Sequence, residues 1–262
     1  MHVDGVGVDA PDLASLALYN YGHFTSMRVE DMAVRGLGLH LARLVADSGH
    51  LFGHAIDPDR VRDLVRRAVP AHGGPVVVRV TVFAPDFDLS RPGRDVRPKI
   101  LVTQRPAPPT AQPPLRVRTC RFDRDLPGVK HTGLFGQLHE RRSAQLDGYD
   151  DALFVGTGAV ISEGPTWNIG FIRSGRVIWP ESTCLPGVTM RLIRAALAAA
   201  GVATRAVPVG VSTVADMDAA FATNAATGVR AISHIDDLDL GRDGGLLARI
   251  GSAYWATDAE AL

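Results

Sequence analysis

Apolar residues recur at helical spacing in two segments of the N-terminal part of the chain. In residues 39–53 they lie three and four positions apart, and the segment closes on Gly53, a residue type that commonly ends helices. Further on, Asp57 suits an N-cap and Pro58 suits the first helical position, ahead of a stripe of valine and leucine side chains. The spacing predicts one helix in each segment.

Alternating or continuous apolar runs predict strands around these helices. Residues 2–9 alternate in polarity around Asp4 and Gly5, a dipeptide that is typical of hairpin turns. The runs at 76–83 and 99–104 are rich in β-branched residues, which favour the extended backbone of a sheet. We therefore expect a short hairpin followed by two longer strands.

A proline-rich segment separates the two halves of the chain. Residues 105–114 contain five prolines, which neither a helix nor a sheet ladder accommodates, because proline lacks the backbone N–H. The segment is predicted to be a semi-rigid connector. We place a linker at 108–114, a small N-terminal domain at 1–107 and a larger C-terminal domain at 115–262.

Short β-rich runs and helical patterns are mixed in the second half. Residues 115–122 predict a strand, and four runs between residues 152 and 180, separated by Gly-containing turns, predict an antiparallel meander. Helical spacing is present at 133–146, from Val188 onward and at 244–255. Strands interrupted by isolated helices favour an α+β fold over a doubly wound parallel sheet.

The composition is that of an ordinary globular protein and excludes several classes of function. Of 262 residues, 46% are hydrophobic and 21% charged, and 28 basic residues balance 28 acidic ones. Net neutrality argues against nucleic acid as a partner. Cys120 and Cys184 lack the spacing of a zinc ribbon or a disulfide framework. With no signal peptide and no run of about 18 apolar residues, we expect a soluble, cytoplasmic protein that does not enter membranes.

Lys130 is the first candidate for chemistry. Lysine is scarce in this arginine-rich chain, and Lys130 lies at a Gly-Val-Lys-His junction instead of on a helix face. A lysine that forms an imine must lose its proton, which requires burial or a cationic neighbour. His131 could tune it, or could simply bond a neighbouring carbonyl. The alternative interpretation of Lys130 is a surface lysine at the end of a strand.

An acid and a helix start complete a possible site for a phosphorylated aromatic aldehyde. Glu163 ends a strand-like run, and a carboxylate opposite a pyridine nitrogen keeps that nitrogen protonated. Residues 187–189 open a helix after Leu-Pro, and the free amides there can hold a phosphate. The alternatives are an ordinary acid at a strand end and a plain Pro-Gly turn.

Six short pieces of the chain, taken together, resemble a known family. The pieces are YGHFTSMRV (21–29), HLARL (40–44), VKH (129–131), ISEGPTWNIGF (161–171), LPGVT (185–189) and TNAATGV (223–229). In this order they resemble the class IV (fold type IV) pyridoxal 5'-phosphate (PLP) enzymes, the family of branched-chain and D-amino-acid aminotransferases and aminodeoxychorismate lyase. The resemblance extends from near residue 1 to about residue 236.

The resemblance implies roles for individual residues. Lys130 would be the Schiff-base lysine and the general acid/base, and Glu163 would pair with the pyridinium nitrogen. Arg43, with the amides of Val188 and Thr189, would hold the phosphate.

Three further residues and the architecture follow from the same resemblance. Asn224 lies where the family places a hydroxyl or an asparagine near the phosphate, and Tyr21 and Arg28 fall where it lines the substrate pocket. The implied fold is two-domain and α+β, with a small N-terminal α/β sandwich and a larger C-terminal mixed β/α domain, as in D-amino-acid aminotransferase. A homodimer is also implied.

One departure leaves the reaction open. Branched-chain enzymes carry a tyrosine five residues after the lysine, whereas this chain has Phe135, which cannot donate the same hydrogen bond. The leading prediction is transfer of an amino group from an amino acid or related amine to a keto acid. The alternatives are an aminodeoxychorismate-type lyase that releases pyruvate, which the FTSMRV, VKH and TNA pieces match more closely, and a non-catalytic relative that binds PLP or another metabolite.

A metal site has little support in the sequence. His50 and His54 have the spacing of metal ligands on a helix, but neither an HExxH pattern nor a nearby set of carboxylates completes a site. We therefore expect PLP as the cofactor and no metal.

Overall fold

The computed structural model describes residues 2–8, 10–70, 73–241 and 244–262, and it describes side chains except at 10–12 and 244. The chain forms two compact units. The first comprises Met1–Pro108, Val129–Gly133 and Asp258–Leu262, and the second comprises Pro109–Gly128 and Leu134–Thr257.

The described residues form six α-helices and two short 3-10 helices. The α-helices are α1 (Ala10–Leu18), α2 (Leu37–Phe52), α3 (Pro58–Ala68), α4 (Phe135–Leu146), α5 (Val188–Ala199) and α6 (Gly244–Trp255); the 3-10 helices are Thr157–Ala159 and Val211–Asp216. None of these helices has the length and apolar character that crossing a bilayer demands.

The strands of the described residues number sixteen. In the first unit they are β1 (His2–Val3), β2 (Val6–Gly7), β3 (Gly22–Val29), β4 (Ala33–Arg35), β5 (Val76–Phe83), β6 (Lys99–Pro106) and, near the end of the chain, β16 (Ala259–Ala261). In the second they are β7 (Leu115–Arg121), β8 (Asp151–Val155), β9 (Glu163–Gly164), β10 (Trp167–Arg173), β11 (Arg176–Pro180), β12 (Thr204–Val207), β13 (Ala219–Asn224), β14 (Gly228–Ile235) and β15 (Leu238–Asp239).

The first unit is an antiparallel sheet covered by helices. Its strand order is β2-β1-β6-β5-β3, and α2 and α3 pack against it around a buried apolar core.

The helix cap predicted for α3 is present, since the Asp57 carboxylate accepts the Asp59 N–H at 2.9 Å. The predicted strands match β5 and β6, but β6 runs two residues further, into Pro106, which pairs with Val76 at the end of the ladder. A proline is tolerated there because a strand end has few ladder bonds to lose.

Two distant segments belong to the first unit, although the predicted domain ranges put them in the C-terminal domain. Backbone pairing is the reason for the difference. In segment 129–133, His131 forms a β-bridge with His23, and in segment 258–262, β16 pairs with β4. Such long-range pairing leaves no trace in local sequence patterns.

The second unit is built on a mixed sheet. The strand order is β12-β11-β10-β13-β14-β7-β8, with β9 added to β10 and β15 to β14. The antiparallel meander predicted for residues 152–180 is right for β9, β10 and β11 but wrong for β8, which pairs in parallel with β7 at the far end of the sheet. Helix α4 supplies the crossover that parallel neighbours require.

Candidate active site

Lys130 lies in an irregular segment of the first unit and is half-buried. Its carbonyl oxygen accepts the N–H of Phe24 on β3 at 2.9 Å, and its own N–H donates to the Asp47 carboxylate on α2 at 3.1 Å. Two residues later, Thr132 donates its N–H to Gly22 at 2.8 Å. The backbone of Lys130 is therefore fixed on both sides.

The amine of Lys130 lies near an aromatic ring that also contacts an arginine. Lys130 Nζ lies 4.9 Å from the centroid of the Phe24 ring, and the Arg79 guanidinium carbon lies 3.6 Å from the same centroid. Burial lowers the pKa of Arg79. Arg79 was absent from the sequence predictions, because within a β-rich run it has no distinguishing pattern.

Arg43 is oriented by two neighbours that sequence reasoning did not name. Its Nη2 donates to Thr25 Oγ1 at 2.5 Å and lies 3.4 Å from His40 Nδ1, while Thr25 Oγ1 and His40 Nδ1 are 2.7 Å apart. Thr25 and His40 are buried. The three groups form one connected network between β3 and α2.

Both buried histidines of this region are held neutral. Burial, and then the charge of Arg43, lowers the pKa of His23 to about 3. The same two causes, with Lys130 as a third, hold the pKa of His40 well below its ordinary value. Neither ring nitrogen of His23 has a hydrogen-bond partner among the described residues. These two histidines therefore add no positive charge to the region.

Tyr21 and Arg28, the predicted substrate-pocket residues, also lie in the first unit. The Tyr21 ring stacks on Phe87 with centroids 4.6 Å apart, and its hydroxyl donates to the Leu51 carbonyl at 3.3 Å. Arg28 Nη1 donates to the Pro108 carbonyl at 2.9 Å. Both side chains take part in the packing of this unit, and their predicted contact with a substrate stays a prediction.

Glu163 lies in the second unit, at the start of β9, and is almost completely buried. Its Oε1 accepts from Arg124 Nε at 2.7 Å, and the two side chains are 4% and 3% exposed. Asn168 Nδ2 lies 3.4 Å from the other carboxylate oxygen and donates to the Leu185 carbonyl at 2.8 Å. A buried carboxylate stays charged only with a counter-charge, and Arg124 supplies it.

Arg124 and Asn168 are functional candidates that the sequence predictions missed. Asn168 lies within the motif WNIGF, five residues after Glu163, so the motif carried a signal that was not used. Arg124 precedes Lys130 in a loop of alternating acids and arginines, where nothing separates it from a solvated arginine. Its Nη1 is buried and has no partner among the described residues.

The start of α5 is an uncapped helix end. Gly187 precedes it with no side-chain cap, and Val188 and Thr189, both buried, are its first two residues. The Thr189 hydroxyl has no hydrogen-bond partner in the described part of the chain. A Cβ at Gly187 would lie 2.0 Å from Asn168 Oδ1, so only glycine fits there. Free amides and an unpartnered hydroxyl are the donors that an anion requires.

Cys184 and Asn224 are two further candidates in the second unit. Cys184 precedes α5, and burial, followed by the Glu163 charge, raises the pKa of its thiol to about 11. Asn224 ends β13, and its Oδ1 accepts the N–H groups of Ala226 and Thr227 at 2.9 and 3.0 Å. Asn224 thus shapes the β13–β14 turn, and its predicted place near a phosphate stays a prediction.

The remaining sequence candidates, Phe135 and His54, each contact a neighbour of their own. Phe135 starts α4 with 83% of its surface exposed and stacks on His139, with centroids 6.0 Å apart. His54 pairs through Nε2 with Asp95 at 2.5 Å. Among the described residues, no three His, Cys, Asp or Glu side chains cluster as metal ligands would.

The fold is that of the fold type IV PLP enzymes, as comparison with solved structures shows. A branched-chain aminotransferase from Thermoproteus uzoniensis, solved with norvaline, is 20% identical and matches with a TM-score of 0.87 over 97% of this chain and 92% of its own. A putative 4-amino-4-deoxychorismate lyase from Legionella pneumophila is 18% identical, with a TM-score of 0.83 over 96% of each chain.

A third structure of this fold carries a derivative of the cofactor. It is a T.th. branched-chain aminotransferase complexed with N-(5'-phosphopyridoxyl)-L-glutamate, and it is 20% identical, with a TM-score of 0.80 over 93% of this chain and 86% of its own. At such identities the likeness establishes the predicted two-domain α+β fold and leaves the substrate open.

The chain belongs to the amino-transferase class IV family, whose sequence model matches residues 22–235. The resemblance inferred from the six sequence pieces is thereby confirmed. The enzymes of this family depend on PLP, and the chain is an enzyme of this kind, with aminotransferases and a lyase among its structural neighbours. A search of curated proteins gave no match.

Proposed function

We propose that this enzyme transfers the amino group of an amino acid or related amine to a keto acid, with PLP attached to Lys130. The observation that carries the proposal, beside the family, is the buried ion pair of Glu163 with Arg124 at 2.7 Å. Burying a carboxylate is costly, and an acid that is kept charged suits the pairing with a protonated pyridine nitrogen.

The residues present fit PLP on features of this chain. The buried Thr189 hydroxyl lacks a partner within the described residues and adjoins the open amides of α5, as a phosphate-binding helix start requires. When bound, PLP supplies an aldehyde that condenses with amines and a ring that accepts electrons. Val188 and Thr189 would hold its phosphate by their N–H groups, and Arg43 by its guanidinium.

Lys130 would act as the base and acid of the reaction. With PLP bound, Lys130 Nζ would be the group that takes up a proton from the substrate and gives it back. This role would require a neutral amine. Glu163 would offer a negative charge to the ring nitrogen of bound PLP, and Arg124 would maintain that charge.

Recognition of the substrate carboxylate is assigned to the predicted pocket residues. Arg28 offers a guanidinium, which binds a carboxylate through two parallel hydrogen bonds, and Tyr21 and Asn224 offer further polar groups.

We also propose that the enzyme is a homodimer that acts in the cytoplasm. Light scattering of the purified protein tests the dimer.

A screen of amino donors tests the proposed reaction. Purified protein is loaded with PLP, excess cofactor is removed, and each donor is added while absorption is followed. We expect at least one donor to convert the aldehyde form to the amine form and release a keto acid, and a second keto acid to reverse the change. Absence of this conversion with every donor, together with full PLP binding, would favour a non-catalytic relative.

A lyase is the second candidate, and Phe135 is the observation that favours it. The ring at this position lacks the hydroxyl that branched-chain enzymes have there, and the FTSMRV, VKH and TNA pieces are closer to the lyase branch. The same screen separates the two reactions. Pyruvate released from aminodeoxychorismate without any keto-acid acceptor supports the lyase, whereas turnover that depends on an acceptor supports the aminotransferase.

A further inference from the structure

Asp47 is a buried carboxylate that the proposed reaction does not use. It lies on α2, one helical turn after Arg43, and is only 4% exposed. Carboxylates are rarely buried without a purpose, because removing one from water is costly. The partner of Asp47 Oδ2 is the backbone N–H of Lys130, at 3.1 Å.

This hydrogen bond closes one side of a clamp on the Lys130 peptide. On the other side, the Lys130 carbonyl accepts the Phe24 N–H at 2.9 Å. Strand β3 and helix α2 therefore both hold the residue whose side chain reaches the Phe24 ring. Hydrogen bonds to a charged acceptor are about twice as strong as those between neutral groups, so Asp47 is the stronger half of the clamp.

The charged groups around Asp47 come from two elements. Burial raises the pKa of Asp47, and the Lys130 N–H bond and the charges of Arg43, His50 and Lys130 oppose that shift. Arg43 and His50 lie on α2 with Asp47, and Lys130 lies on the segment that the carboxylate holds. The positive surroundings are what allow a carboxylate to remain there in its charged form.

We propose that Asp47 is a positioning residue, which fixes the backbone of Lys130 so that its amine is held ready for the PLP aldehyde. The inference rests on the proposed function. It adds a residue outside the six family-like pieces, whose second piece ends at position 44. Because Asp47 and Arg43 share one face of α2, the same helix sets the lysine backbone and the proposed phosphate-binding guanidinium.

Hydrogen exchange and PLP binding test the inference in the full chain. The variants are Asp47→Ala, which removes the acceptor, and Asp47→Asn, which keeps a neutral one. The matched control is Asp63→Ala, an exposed helical aspartate of the same unit. The first readout is protection of the Lys130 amide in protein without PLP, and the second is the dissociation constant of PLP.

In Asp47→Ala we expect both the Lys130 amide protection and the PLP affinity to fall about tenfold, as losing a hydrogen bond to a charged group implies. In Asp47→Asn both quantities should lie between those of Asp47→Ala and those of the wild type. The pH dependence gives a further check. As the pH is lowered, the Asp47 carboxylate takes up a proton. The protection of the Lys130 amide in the wild type, once corrected for intrinsic exchange, should then approach its protection in Asp47→Asn. The protection of the Lys99 amide should be the same in all variants, and Asp63→Ala should have the Lys130 protection and the PLP affinity of the wild type.

Each outcome decides the matter. Unchanged Lys130 protection in Asp47→Ala overturns the clamp, and lost protection with unchanged PLP affinity overturns the positioning role. If Asp47→Ala does not fold, Asp47→Asn and its pH profile decide in its place. Failure of wild-type protein to bind PLP at Lys130 refutes the proposed function, whereas the exchange measurement still judges the clamp separately.

Discussion

The two units use opposite means to keep charge in a buried place. In the first, the cations Arg43 and Lys130 have buried, neutral histidines as neighbours and share the charge of one carboxylate, Asp47. In the second, the anion Glu163 is neutralised directly by Arg124. An anion that must stay charged in a buried place needs a permanent partner of opposite charge. The contrast matches the roles proposed for Lys130 and Glu163.

The largest effect is expected from breaking the pair in the second unit. Glu163→Gln leaves the Arg124 guanidinium, 3% exposed, without a counter-charge. We expect the free energy of unfolding to fall by about 3–5 kcal/mol, since an uncompensated buried charge is strongly destabilising. Urea unfolding of protein without PLP measures it.

An exposed pair in the same unit is the control for this prediction. Arg173 and Asp216 lie 3.4 Å apart and are 51% and 56% exposed. Asp216→Asn should change the free energy of unfolding by less than about 1 kcal/mol, because water screens surface pairs. Equal losses in the Glu163 and Asp216 variants would remove the distinction on which the comparison depends.

A smaller effect is expected from the neutral histidines of the first unit. The pKa of His23 is about 3 in the folded protein and 6.5 ordinarily, so between these values the unfolded chain binds more protons. Stability should therefore fall as the pH falls through this window, by about 2 kcal/mol from pH 7 to pH 5 for this residue alone. His23→Leu should remove that share of the pH dependence.

His139 provides the comparison in the second unit, since it is exposed. His139→Asn should leave the pH dependence of the free energy of unfolding as it is in the wild type. Unfolding curves at pH 7, 6 and 5 measure both variants. A wild-type slope that survives His23→Leu unchanged would show that folding does not lower the pKa of this histidine.

The smallest effect is expected at the start of α5. Thr189→Val removes a buried hydroxyl that has no partner among the described residues, so stability without an anion should hold or rise by about 1 kcal/mol. Thr223→Val is the matched control. Thr223 is equally buried, at 2% exposed, but its hydroxyl lies 3.5 Å from the Asn168 carbonyl. Thr223→Val should therefore lower the free energy of unfolding by about 1 kcal/mol, because a hydrogen bond is lost.

Inorganic phosphate then sharpens this last prediction. If the start of α5 binds a phosphate, added phosphate should raise the melting temperature of the wild type and of Thr223→Val more than that of Thr189→Val. Equal shifts in all three proteins would place the phosphate elsewhere.

The sequence predicted the elements with strong local patterns and missed those set by distant partners. The Asp57 cap defined α3, and the β-branched runs defined β5 and β6. By contrast, α1 and β3 were not predicted, because glycine, histidine and hydroxyl residues obscure the period of the residues that form them. Strand β8 was assigned to a meander because parallel pairing depends on the α4 crossover and not on local residues.

The candidate site was predictable where its residues form motifs. Lys130, Glu163 and the start of α5 stand in short, ordered pieces. Arg124 and Asp47 do not, because their importance comes from burial beside a partner far along the chain, at Glu163 and Lys130. Arginines and aspartates are common in this chain, and only the structure separates the buried ones from the solvated ones.

The most direct test of the account is to map where PLP attaches. The chain has only two lysines, so Lys99 is a control within the same molecule. Protein incubated with PLP is reduced with borohydride, digested and analysed by mass spectrometry, with Lys130→Ala and Lys99→Ala alongside. The account predicts stoichiometric labelling at Lys130 that is lost in Lys130→Ala and kept in Lys99→Ala. Labelling that persists in Lys130→Ala, or that divides evenly between the two lysines, would contradict it.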